Sequence, residues 1–250
     1  KDQPIKFRKT TATYLSKRSK QAQRNRLSEL CLINADNLLK ALEFCRENKI
    51  GGFRINSQIL PLKTHPDVGY DIQDLPGSDG IVQAFKACGE YSRTHNIRTT
   101  FHPDQFIVLS SPHPDVVSRS IADLQYQAQV AQWVNADVIN IHAGGVYGDK
   151  SAAIKRFVKT VETLPDPVRK RLTLENDDRS YSPVDLLPVC HELNVPLVYD
   201  VHHHRCLRDD LSIDKATERC LQTWNREPLF HLSSPKDGWQ ASNIRKHHDY

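Results

Sequence analysis

Five segments of this chain share one pattern, an apolar run that stops on a metal-type side chain. They are Thr-Thr-Phe-His102, Val-Ile-Asn-Ile-His142, Leu-Thr-Leu-Glu175, Leu-Val-Tyr-Asp200 and Leu-Phe-His231. A strand buried on both faces reads as a short, continuous apolar run. When consecutive strands of a parallel sheet all end on such residues, the residues gather at one rim, where parallel α/β enzymes keep their chemistry. One strand of this kind is a coincidence, and a single histidine at a strand end is commonly structural. Five in one register constrain the fold.

Between these runs lie helical stretches. Leu30, Ile33, Leu38, Leu42 and Cys45 give residues 27–49 an amphipathic helical spacing, closed by Gly51-Gly52. Further helices are expected at 80–95, 114–131, 149–164, 183–193 and 213–224. The strands are expected at 53–56, 97–101, 137–141, 172–174 and 195–199, with 228–230 leading to His231. Alternation of this kind means a mainly parallel sheet. A flat doubly wound sheet would place ligands chiefly at one switch point, whereas a barrel collects every strand end around one centre. The reading is therefore an α/β fold, a (β/α) TIM-type barrel lacking its first and last strands, since six strands fall short of the usual eight. At 250 residues the chain suits one domain, 1–250, with a basic segment at 1–26 and the barrel at 27–250.

Composition excludes some classes. With 38% hydrophobic residues and a mean hydropathy of −0.57 the chain can bury a sizeable core. No apolar run reaches the roughly 18–20 residues that span a bilayer. Six cysteines without a Cys-x-x-Cys pair read as reduced thiols of an intracellular protein, cytoplasmic in a bacterium or nuclear in a eukaryote. The net charge of +4 is unevenly spread. Lys6, Arg8, Lys9, Lys17, Arg18, Lys20, Arg24 and Arg26 occur with no acid among them, a footprint for a polyanion or else a solvated arm. Methionine is absent, so the chain reads as a piece of a longer protein.

The candidate ligands are His102, His142, Glu175, Asp200, His203, His231 and His247. Imidazole with carboxylate is the donor set of zinc, manganese or iron. Seven donors exceed what one ion needs, so a cluster of two or three ions is implied, with Glu175 the natural bridge. Such clusters hydrolyse phosphate esters by activating water and stabilising the attacking and departing oxygens. Asp200-Val-His-His203-His204 is the strongest local signal, while His247, in Lys-His-His-Asp near the carboxyl end, is the weakest. Gln105 and Phe106 put an amide and a ring just beyond His102. They fit either a wedge into a base stack or, for Phe106, a cap on the core. Arg54 and Lys150 are candidates for phosphate contact or plain surface charges. Asn176 belongs to a polar group able to orient Glu175.

At these residues the chain resembles the ultraviolet damage endonucleases, metal-dependent DNA repair enzymes related in plan to endonuclease IV. The resemblance rests on Phe-Arg54-Ile-Asn-Ser-Gln-Ile-Leu-Pro-Leu with Thr-His65-Pro, Phe-His102-Pro-Asp-Gln105-Phe and Ile-Asn-Ile-His142-Ala-Gly-Gly-Val-Tyr-Gly. It continues through Leu-Thr-Leu-Glu175-Asn-Asp-Asp, the Asp200/His203 pair and His231-Leu-Ser-Ser-Pro-Lys. It implies a nick immediately 5′ of an ultraviolet lesion such as a pyrimidine dimer, by metal-activated water, leaving a 3′-hydroxyl and a 5′-phosphate. It implies two or three divalent ions, manganese first, with zinc, cobalt or magnesium as alternatives. His102, His142 and Glu175 would hold one ion, Glu175, Asp200 and His231 a second, and His203 with His247 the third. These ligands, with Glu175, His102, His142, Asp200 and His231 as the catalytic set, would act on damaged double-stranded DNA. Gln105 and Phe106 would probe the lesion, with Arg54, His65, Asn176 and Lys150 as further DNA contacts. A monomer that does not enter membranes is expected. The chain departs from the family in three places. An initial strand is absent or replaced by residues 1–7, family members carry a further glutamate ligand on a final strand beyond the point matching Tyr250, and Leu229 stands where some members have a modifiable lysine. The alternative functions are an abasic-site endonuclease of the endonuclease IV type, a metal-dependent sugar isomerase, and a catalytically silent damaged-DNA-binding fragment.

Overall fold

A computed structural model describes residues 5–247, which form two compact units. Of the described residues, the first comprises 5–104 and 122–139, and the second 105–121 and 140–247. Of the segment standing in place of the family's first strand, residues 1–4 lie outside the described residues, and 5–11 form no regular element.

The first unit opens with α1 (Ala12–Ser16) and α2 (Lys20–Glu47). Ser19 caps α2 by accepting from the Ala22 N–H. The helix thus begins a full two turns before the apolar stripe that Leu27, Leu30, Cys31, Leu38, Leu42 and Cys45 bury. Sequence periodicity missed those turns because they are polar and largely basic, and the residue they bury is Gln23 rather than an apolar one. The basic segment is not a loose arm. Leu15 is fully buried, and the buried Asn34 amide accepts from the Arg8 N–H at 2.6 Å and donates to the Arg8 and Ile59 carbonyls at 3.0 and 2.8 Å. Its cationic side chains, other than half-buried Arg26, are exposed. Then follow β1 (Gly52–Ile55), a 3-10 turn at Ile72–Asp74, α3 (Ser78–Thr94) and β2 (Arg98–Phe101). The helix α4 (Pro114–Val134) and the strand β3 (Val138–His142) are shared along the chain by both units. Within the first unit the strand order is β1-β2-β3 and all pairs are parallel, with Gly52 opposite Arg98 and Thr100 opposite Val138.

In the second unit β3 is followed by α5 (Lys150–Glu162), α6 (Asp166–Arg169), β4 (Leu172–Glu175) and α7 (Pro183–Leu193). Next come β5 (Leu197–Asp200), α8 (Val201–Cys206), α9 (Ile213–Leu221) and β6 (Phe230–His231). The strand order is β3-β4-β5-β6, with β4–β5 and β5–β6 parallel. Every residue of β4 and β5 is buried, as a parallel strand covered on both faces requires. Parallel strands in chain order with helical crossovers are the expected α/β winding of the (β/α) TIM type, with six strands among the described residues. Two short helices escaped the sequence reading. The four-residue α6 is below the length at which periodicity registers, and α8 hides its apolar period behind three histidines. No helix among the described residues is long and apolar enough to cross a membrane, and all six cysteines are free thiols.

Candidate metal centre

Strand register builds the centre of the second unit. Asp200 lies opposite His231, and Glu175 opposite Val198, two residues before Asp200. Because side chains alternate along a strand, Glu175, Asp200 and His231 share one face at the carboxyl ends of β4, β5 and β6. The His231 Nδ1–H donates to Glu175 Oε1 at 2.8 Å, and the same nitrogen lies 4.0 Å from Asp200 Oδ2. The short helix α8 adds His203. Its Nδ1 sits 3.7 Å from both Glu175 Oε1 and Asp200 Oδ2 and donates to the Asn176 carbonyl at 2.9 Å, which leaves Nε2 with the lone pair a metal takes. Ligand atoms of Glu175, Asp200 and His203 all lie within 4.8 Å of one another.

The carboxylates are held rather than merely near. Glu175 is 1% and Asp200 2% exposed. Asn140, buried in β3 two residues before His142, donates to Glu175 Oε2, while Thr173 Oγ1 donates to the Asn140 side-chain amide oxygen Oδ1 at 2.9 Å. Asn176 accepts from the Asp200 N–H and donates to the Asp200 carbonyl, both at 2.9 Å, lacing β4 to β5. Asp200 Oδ1 in turn caps α8 by accepting from the His203 N–H at 2.8 Å. One side chain thus serves as helix cap and candidate ligand together.

Two carboxylates buried this deeply are costly unless a cation offsets them. Imidazole nitrogens gathered beside them complete a donor set that suits a divalent transition ion, whose neighbouring ligand atoms stand roughly 3–4 Å apart when each bond is about 2.1 Å. The residues fit a metal. His142 and His247 extend the cluster through His203, with ring centroids 5.9 and 5.3 Å from it. Partial desolvation, then the neighbouring His202 and His203 rings, lower the pKa of the exposed His247 from its ordinary imidazole value, favouring the neutral form that coordinates. Ser233 Oγ lies 2.8 Å from His247 Nδ1.

The remaining sequence candidates fall in different settings. His102 is half-buried just past β2, in the first unit. Arg54 is exposed on β1. His65 sits in a tight turn, its Nδ1 accepting from the Asp67 N–H at 3.1 Å. In the second unit Gln105 is exposed and Phe106 is 77% exposed, so Phe106 does not cap the core; Ile107 and Leu109 do that. Their segment is stapled beside His142 by Ser110, whose hydroxyl donates to the Ala143 carbonyl at 2.7 Å. Gly144 is needed at that join, since it has φ +88° and an added Cβ would meet Ser110 Oγ and Val108 Cγ1 at 2.8 Å. Lys150 is ion-paired with Asp185 at 2.9 Å. Asn176, expected among the DNA contacts, is fully buried with both ends of its amide on the Asp200 backbone; it presents no face to a nucleic acid. Leu229 is half-buried before β6. Sequence reading missed Asn140, although a polar residue two positions before His142 in an otherwise apolar strand was a usable signal.

The family described as UV-endonuclease UvdE matches residues 1–250. A protein of Bacillus velezensis (strain DSM 23117 / BGSC 10A6 / LMG 26770 / FZB42) named UV DNA damage endonuclease is 36% identical over 96% of this chain and 75% of its own length. The crystal structure of SacUVDE superposes with a TM-score of 0.86 at 28% identity, over 98% of this chain and 80% of that one. Endonuclease IV from Thermus thermophilus shares the fold, with a TM-score of 0.56 at 15% identity over 80% and 73% of the two chains.

Proposed function

The chain belongs to the UV-endonuclease UvdE family, and from that premise we propose that it is a DNA repair endonuclease that nicks damaged duplex DNA immediately 5′ of an ultraviolet lesion, leaving a 3′-hydroxyl and a 5′-phosphate. The observation that carries the reading is the convergence of buried Glu175 and Asp200 with His203 and His231 at the carboxyl ends of parallel strands. The proposed ligand set is His102, His142 and Glu175 for one divalent ion, Glu175, Asp200 and His231 for a second, and His203 with His247 for a third, with manganese as the first choice. Bound ions of this kind make water acidic enough to attack near neutral pH and offset charge developing at a phosphodiester.

The chain's own residues prepare that chemistry. Asn140 fixes one Glu175 oxygen and His231 the other, so the carboxylate arrives oriented rather than searching rotamers. Asn176 and the α8 cap hold Asp200 equally firmly. Gln105 and Phe106, exposed on the segment that Ser110 ties to Ala143, would occupy the place of a distorted base pair. An exposed aromatic ring loses nothing by entering a base stack already weakened by a lesion. The cations of the amino-terminal segment bind backbone phosphate, so affinity falls as salt rises.

The test is conversion of irradiated supercoiled plasmid to nicked circles, with 3′- and 5′-end analysis, in protein stripped by chelator and then supplied with manganese. Nicking restored by the metal and absent on unirradiated plasmid is the expected result. Nicking that survives stripping, or that ignores irradiation, overturns the reading.

A further inference from the structure

The helix α8 presents three consecutive imidazoles, and the centre described above uses one. Successive residues of a helix are turned by about 100°, so the three rings face different surroundings. His203 faces the carboxylates. His204 is enclosed in the interior, where Tyr199 donates to its Nδ1 at 2.6 Å and its Nε2–H donates to Asp209 at 3.0 Å. His202 is fully buried and faces a different partner, the strap of chain at 233–247.

His202 Nε2 lies 2.7 Å from the Ile244 carbonyl, which only accepts, so this nitrogen carries the hydrogen. The ring stacks on His247 at 4.5 Å with planes 11° apart, and lies 5.0 Å from the Trp239 ring. Around this pivot the strap is gathered by Arg205 over Trp239 at 3.6 Å, by Arg245 on the Asp178 carbonyl at 3.1 Å, and by an antiparallel bridge from Pro235 to His247. His202 Nδ1 is buried without a hydrogen-bond partner among the described residues. For packing alone an apolar ring would be cheaper at this position. What the imidazole adds is one N–H aimed at the strap and a flat face under His247.

We infer that His202 is a positioning residue: it latches the 233–247 strap to α8 and so sets the His247 ring beside His203. The inference rests on the proposed ligand role of His247, but the latch itself does not. Metal ligands oriented by a neighbouring hydrogen bond typically lose about 10- to 100-fold in affinity when that neighbour is removed.

The experiment uses the full chain with His202→Phe, which keeps the stack and drops the donor, His202→Gln, which keeps a donor near the Nε2 position and drops the ring, and Trp239→Ala, which loosens the strap from its own side and leaves the His202 donor in place. Two quantities are read. Tryptic cleavage at Arg245 and Lys246 in metal-free protein reports the latch. Manganese titration followed by electron paramagnetic resonance reports the number and affinity of bound ions. His202→Phe and Trp239→Ala are expected to speed strap cleavage about 10-fold and to weaken the loosest manganese about 10-fold, leaving the tightest unchanged, with His202→Gln intermediate. Strap cleavage at wild-type rate in both His202→Phe and Trp239→Ala overturns the latch. Faster cleavage with unchanged manganese affinities overturns the positioning of His247. A wild-type protein that binds no manganese overturns the metal reading instead, and the cleavage rates then decide the latch alone.

Discussion

The rim of β4 and β5 and the strap at 233–247 both bring metal-type side chains to one cluster, but they hold them by different means. At the rim, Glu175, Asn176 and Asp200 are almost wholly buried, and their polar atoms are fixed by neighbouring strands through backbone and amide hydrogen bonds. On the strap, His247 is exposed, and its place depends on one imidazole N–H, an arginine over an indole and a serine hydroxyl. Strands give a site its rigidity, because moving a ligand there means breaking the sheet ladder. A side-chain-tethered segment gives a ligand that can be displaced at low cost. The two regions therefore predict graded occupancy, tight at the rim and looser at the strap.

The largest effect expected is at the rim's hub. Glu175→Gln should reduce nicking of irradiated plasmid by about 10³-fold or more, because several kcal/mol of charge stabilisation depend on the proposed bridging carboxylate. Binding to damaged duplex should survive in part. Wild-type turnover in this variant would remove Glu175 from the centre. Next comes Asn176→Ala, which strips partners from both the N–H and the carbonyl of Asp200. Each buried orphan costs about 1–3 kcal/mol, so denaturant unfolding should show a loss of about 2–6 kcal/mol. A loss below about 0.5 kcal/mol would mean that the rim is not held as described.

Gln105→Ala with Phe106→Ala should leave stability within about 0.5 kcal/mol, since these side chains are exposed. The preference for damaged over intact duplex in competition binding should fall about 10-fold, in keeping with the roughly 1–3 kcal/mol that one stacked base contributes. An unchanged preference would refute the probing role. The smallest effect belongs to the strap. Ser233→Ala removes a single exposed hydrogen bond to His247, and its cost in thermal unfolding should not exceed about 1 kcal/mol. A larger loss would make the strap as rigid as the rim and dissolve the contrast between them.

Much of the rim could be read from the residues alone. Strands buried on both faces show up as unbroken apolar runs, so Thr-Leu-Glu175 and Val-Tyr-Asp200 announced themselves, and register then obliged their last side chains to converge. The strap could not be read that way. Its defining hydrogen bond joins His202 to Ile244 across 42 residues, and nothing in a local pattern signals a partner so far away. Asn140 and Asn176 were obscure for another reason. A buried amide inside or beside a strand looks like a turn or substrate contact until its partners are known. The helix α8 was hidden because Asp200 reads as a strand-end ligand only, when it is also the cap that starts the helix.

The three adjoining imidazoles of α8 make that hexapeptide intolerant of length change. Inserting one residue between Asp200 and His202 would swing each ring by about 100°. The histidine now facing the strap would turn toward the acidic rim, and the one facing the rim would turn toward Tyr199. No side chain would be lost from the protein, yet all three assignments would be scrambled. Point substitution can therefore tune this turn one role at a time, whereas an indel there removes every role at once.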